Sequence, residues 1–161
     1  MEYKKLSKKA LKYIYTKTII YNIILLIIII FTNYYFIKPK DIPIGNTIFI
    51  LLIIFIVLYT IFIPYITYNR YRYSINEESI DIKEGYLFTK RNIVPIERLH
   101  KFEISKGPIE KSFKIERIIV TTAGGDVAIK YLEESEAEHI TESLKNIINN
   151  LVRKQKQDDD K

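Results

Sequence analysis

The chain has 161 residues, no cysteine and a formal net charge of +6. That length leaves room for one modest domain and little else, and the lack of cysteine excludes disulfides and thiolate metal sites. The charge does not indicate nucleic acid: residues 1–17 hold six lysines against Glu2 and the connector "KPKDIP" two against Asp41, whereas residues 69–161 balance 17 basic with 17 acidic side chains.

The basic excess therefore flanks the apolar part of the chain, where anionic headgroups are the nearest partner. Two runs, residues 19–37 and 44–66, contain no charged side chain. At about 1.5 Å per residue each covers roughly 28–34 Å, enough to cross a hydrocarbon core of about 30 Å. Both are apolar on every face, whereas a helix of a soluble core usually keeps a polar stripe. Residues 31–37 offer no small pair for signal cleavage. The expected arrangement is a membrane hairpin with both termini cytoplasmic, because positive charge stays inside. Tyr13, Tyr15, Tyr21, Tyr59, Tyr65 and Tyr68 would mark the inner interface, and Tyr34 and Tyr35 the outer one. Asn22 lies about one turn inside the first span. Its amide either bonds to the second span or to another subunit, or reaches interfacial water.

From Tyr71 the pattern changes to short alternating segments. "YRYSI" puts Tyr71, Tyr73 and Ile75 on one face, and "SIDIK" does the same with Ile80 and Ile82. Gly85 closes the second segment, "LFTKRNIVPI" begins a third, and "KFEIS" alternates Phe102 with Ile104. "RIIVTTA" and "DVAIKYL" are two more strands around the hairpin signal Gly124-Gly125-Asp126. This spacing predicts a mostly antiparallel sheet or a small barrel. A final helix follows, with capping-box spacing at Ser135 and Glu138. Its apolar stripe is Ala137, Ile140, Leu144, Ile147, Ile148 and Leu151. The charged end, residues 153–161, is expected to be disordered.

Few residues suggest chemistry. The stretch "SKGPIEKSFKIERIIVTTAGG" mimics a phosphate loop, but Glu110 rather than glycine precedes Lys111, and no long helix follows. Gly107-Pro108 reads as a strand break followed by the short turn "IEKSF". His100 and His139 are isolated, and zinc takes three or four convergent ligands. No nucleophile turn is marked. The expectation is therefore no enzyme, no metal and no cofactor. A basic bias runs from Lys83 to Arg117 with five glutamates interleaved. Within it Lys90, Arg91, Lys111 and Lys114 lie in or near loops, and are the candidate contacts for lipid headgroups or an anionic partner.

The second half resembles the bacterial pleckstrin-homology-like (PH-like) domains of small membrane proteins, the YdbS-like group. The resemblance rests on Ile75, Ile80, Ile82, Gly85, Pro95, Ile96, Arg98, Leu99, Gly107, Pro108, Phe113, Thr122, Ala123, Gly124 and Gly125. Lys106, Lys111 and Lys114 stand where that pattern often has glutamine, arginine and glycine. The likeness implies a strongly bent seven-stranded sheet closed by a carboxy-terminal helix, and no catalysis. It also implies an envelope-associated assembly module working beside a larger relative with several such domains.

The expected fold is thus α+β: a basic tail (1–17), a transmembrane hairpin (18–68), a PH-like domain (69–152) and a charged tail (153–161). The leading function is a membrane-anchored interaction module that forms a homo-oligomer or joins a larger multi-domain relative. The alternative is a binder of anionic membrane lipids.

Overall fold

A computed structural model describes residues 3–37, 43–86 and 88–159. Helix α1 (Lys8–Thr32) starts where the Ser7 hydroxyl accepts the Ala10 N–H, and a π-helical turn (Asn33–Ile37) ends it. Helix α2 (Pro43–Arg70) returns alongside it with Pro64 in its interior. Only 11% of the most apolar window of either helix is buried within the protein, which is incompatible with soluble-core helices. The exposed isoleucines and leucines of both are lipid-facing.

Tyr71 alone separates α2 from the first strand. Strands β1 (Arg72–Ile75), β2 (Ser79–Glu84) and β3 (Lys90–Pro95) form one antiparallel sheet. Strands β4 (Leu99–Ser105), β5 (Ile115–Thr122) and β6 (Gly125–Glu133) form a second, in sequence order. The turn between β2 and β3 requires Gly85: its φ is +134°, and a Cβ there would lie 1.9 Å from the Phe88 carbonyl oxygen. Between β4 and β5 the expected turn is a short helix, α3 (Pro108–Phe113). Lys114 caps it in the left-handed region, φ 52°, which explains why glycine suits that place in the related pattern. Helix α4 (Glu134–Asp159) closes the domain. Ala137, Ile140 and Leu144 are buried on it, with Ile147 and Ile148 packed at the edge. The Leu151 side chain lies outside the described residues.

Four expectations need correction. The described residues form six strands in two sheets, neither seven strands nor a closed barrel. Pro95 is the reason at the corner: it lacks an N–H, and the 3₁₀ turn Ile96–Arg98 after it swings β4 into the other sheet. Helix α4 begins at Glu134, so Ser135 stands inside the first turn rather than at a cap. The same helix continues through Asp159, since "RKQKQ" consists of good helix formers. Finally, the amino-terminal segment is not a free tail. Leu6, Ala10, Tyr13 and Ile14 are buried in one core with Tyr71, Tyr73, Ile80, Ile82, Ile115, Ile118 and Leu132.

Candidate functional site

Two buried carboxylates hold the amino-terminal segment on the domain. Asp81 points away from the inward face of β2 that carries Ile80 and Ile82, yet is only 1% exposed. Arg91 on neighbouring β3 donates to both its oxygens at 2.6–3.1 Å, and the Tyr3 hydroxyl donates at 2.6 Å. The Arg91 bonds first, then Tyr3, hold this carboxyl below the usual carboxylate range despite its burial. Lys83 Nζ sits 3.8 Å from the centre of the Tyr3 ring, a cation–π contact. Backbone joins this anchor, with the Lys4 N–H donating to the Tyr73 carbonyl at 2.8 Å.

The second carboxylate is Glu110 on α3. It accepts from Arg117 Nη2 at 2.6 Å, from the Gly107 N–H at 2.6 Å and from the Tyr13 hydroxyl at 3.1 Å. Burial alone would raise its pKa, but these bonds, Arg117 foremost, hold it below the usual range. Around it Lys9 pairs with Glu133 at 2.6 Å, and the Tyr68 hydroxyl donates to the Leu6 carbonyl at 3.1 Å. The first turns of α1 are therefore clamped to both sheets, and the same helix continues into the membrane.

The sequence candidates do not converge. Lys90 and Arg91 line a cleft of about 640 Å³ between β3 and β6, with Glu84, Asp126 and Lys130. Lys114 lines a different depression with Lys9, Glu133, Glu134 and Glu138, and Lys111 is exposed on α3. Arg91 is neutralised by Asp81, and Lys101, Lys106 and Arg117 also have carboxylate partners. His100 on β4 and His139 on α4 are both exposed, on separate elements. Asn22 donates to Thr60 on α2 at 2.5 Å, which is the span-to-span form of the expected bond.

Sequence reasoning missed Tyr3, Tyr13, Asp81 and Glu110. Asp81 had a legible signal: a carboxylate with an arginine placed to reach it across a β2–β3 hairpin. Glu110 had none, since its partners come from three elements.

The β3–β6 cleft lies between strands that have no strand partner on their outer edges among the described residues, because each is the last strand of its sheet. Ile93 stands half exposed in it. The cleft continues past Pro95 to the β5–β6 turn at Ala123 and Gly124.

A two-helix hairpin leading into paired three-stranded sheets under a closing helix defines a membrane-bound PH-like protein. The family profile described as Bacterial PH domain matches residues 18–148, and the chain belongs to that family. It is 33% identical over 86 residues to the transmembrane protein YdbS of Bacillus subtilis (strain 168), covering 53% of this chain and 54% of that protein. It is 29% identical over 83 residues to the transmembrane protein YdbT of the same organism, covering 49% of this chain and 17% of that one. The matched segment thus spans about half of the first relative and a smaller share of the second. No solved structure matches the chain. Relatives called transmembrane and two exposed apolar helices together make this a membrane protein with two spans.

Proposed function

We propose that the chain is a membrane-anchored, non-catalytic assembly module of the cell envelope, which binds a second copy of itself or a longer relative through the β3–β6 cleft. The observation that carries this reading is the pair of open strand edges facing one cleft. Unpaired N–H and C=O groups on an edge are a template for an added strand, and the half-exposed Ile93 supplies apolar contact. The alternative, a headgroup reader built on Lys90, Arg91, Lys111 and Lys114, has less support. Lys90 and Arg91 share the β3–β6 cleft, Lys114 lines another depression and Lys111 lines neither, and Arg91 is already paired with the buried Asp81.

A photo-crosslinking residue at Val127, inside the cleft, should trap a protein partner in native membranes. Ile93→Glu should lower the adduct yield by about tenfold, since a charge placed in a desolvated contact is unfavourable. No adduct, or an adduct indifferent to Ile93→Glu, overturns the reading.

The proposed orientation puts both termini in the cytoplasm, from the six lysines that precede the first span. A cysteine placed at Asn46 should react with an impermeant thiol reagent on intact cells, while one at Asp159 reacts only after lysis. The reverse labelling would invert the assignment.

A further inference from the structure

Where the hairpin meets the domain, α1, α2, the β2–β3 turn and β6 enclose a recess of about 270 Å³. It contains none of the loop lysines discussed above. Its polar lining includes Lys17, Tyr21, Asn22, Tyr59, Tyr86 and Tyr131, over a floor that includes Ile14 and Ile63. Lys17 is the last charged residue of α1 before the uncharged run, which places the recess at headgroup depth. Tyr21 and Tyr59 are exposed on the lipid-facing side.

Two features single it out. Lys17 has no carboxylate partner among the described residues, and its ammonium lies 6.0 Å from the centre of the Tyr21 ring. Of the half-buried cations of the domain, Arg117 and Lys130 pair with carboxylates and Arg72 donates to backbone carbonyls, while Lys83 lies over the Tyr3 ring beside the buried Asp81. Tyr131, for its part, adopts φ 67°, an outlier for a bulky residue. The β5–β6 register shifts there, with Glu116 opposite Leu132 and Ile118 opposite Ile129, so β6 carries an extra residue. Such a bulge re-aims a side chain, here between Tyr13 and Tyr71 into the recess. The Tyr131 hydroxyl has no hydrogen-bond partner among the described residues, and burial pushes its pKa up to about 12, so it stays a donor.

We propose that this recess holds the phosphate of one membrane phospholipid, with Lys17 as its counter-ion and Tyr131 donating to a phosphate oxygen. The volume lies near the lower end of ligand sites, suited to a phosphate and glycerol rather than a peptide. The acyl chains leave along the apolar faces of α1 and α2 beside Tyr21 and Tyr59. The β3–β6 cleft plays no part, so either reading can fail without the other.

The test is native mass spectrometry of the full chain in mild detergent, titrated with phosphatidylglycerol or with diacylglycerol of the same chains. The expected result is one phosphatidylglycerol per chain and much weaker retention of diacylglycerol. Lys17→Gln should weaken phosphatidylglycerol binding by about tenfold, as loss of a charge-assisted bond implies. Tyr131→Phe should weaken it by several-fold. Lys12→Gln, an exposed change outside the recess, should leave it unaltered and controls for loss of net charge. Excess glycerol 3-phosphate should compete poorly, because it lacks the chains that hold a lipid in place. Equal retention of diacylglycerol, equal losses in Lys12→Gln and Lys17→Gln, or full displacement by glycerol 3-phosphate overturns the proposal.

Discussion

A fragment starting at residue 69 should fail to unfold cooperatively, while the same fragment carrying residues 1–17 on a flexible linker should regain a sharp transition. Leu6, Tyr13 and Ile14 are each at least 94% buried in the core shared with the sheets. Burying a side chain of this size stabilises by about 1.5–3 kcal/mol, so losing three removes roughly 5–9 kcal/mol. Native domains have only about 5–15 kcal/mol in total. The fragment also strips Tyr3 from Asp81 and Tyr13 from Glu110, both buried acceptors. Circular dichroism melts and amide chemical-shift dispersion are the measurements. A well-dispersed spectrum and a sharp melt for residues 69–152 alone would show that the domain does not need its amino-terminal segment.

That dependence marks the boundary between what the amino-acid pattern reveals and what it hides. The spans are legible because a run of 19 or more residues without a charge is rare outside a membrane. The strands are legible from period-2 alternation in "YRYSI" and "SIDIK", and the β5–β6 hairpin from its glycine pair, where Thr122 indeed faces Gly125. Closure of the sheets is not legible, since it depends on whether pairing survives the corner after Pro95. The anchoring of residues 3–14 is hidden for another reason. Six lysines read as a solvated tail, but Leu6, Ala10, Tyr13 and Ile14 recur at helical spacing among them and face inward. The basic loops mislead in the opposite sense: Arg91 looks free because its partner, Asp81, alternates with isoleucines and looks like an exposed residue.

The two carboxylate anchors join domain and hairpin into one mechanical unit. Tyr3 and Tyr13 lie on either side of the start of α1, and each reaches a different sheet through its carboxylate. A partner strand added at the β3–β6 cleft would therefore act on an element that runs directly into the bilayer, through β3, Arg91, Asp81 and Tyr3. The recess beside Lys17 lies on the same helix, about one turn past Tyr13. Position in the membrane and position of the domain are coupled through α1 rather than through a flexible linker.

Arg117→Ala tests that coupling at the Glu110 anchor, and should destabilise the full chain by about 2–3 kcal/mol at neutral pH. Breaking a buried ion pair typically costs about 3–5 kcal/mol, because the remaining charge is left without compensation. Here the lower figure applies: Arg117 keeps 38% of its side chain exposed, and Glu110 retains Gly107 and Tyr13 as donors. For a chain of this size the melting temperature should fall by about 5–10 °C. The pH dependence gives the cause. In the native protein Glu110 has a depressed pKa, so its stabilisation is present above the unfolded value of about 4.3 and is lost as pH falls through the folded value. Without Arg117 the depression is smaller and burial opposes the charge, so protonation relieves the variant sooner. The gap between the two melting temperatures should therefore narrow from pH 7 to pH 4, with the Asp81–Arg91 pair titrating alike in both. Adding Glu110→Gln to Arg117→Ala should recover part of the loss at pH 7, since no buried charge then remains unpaired. A gap that stays constant over this range would mean that Arg117 acts by packing its stem, not by compensating Glu110.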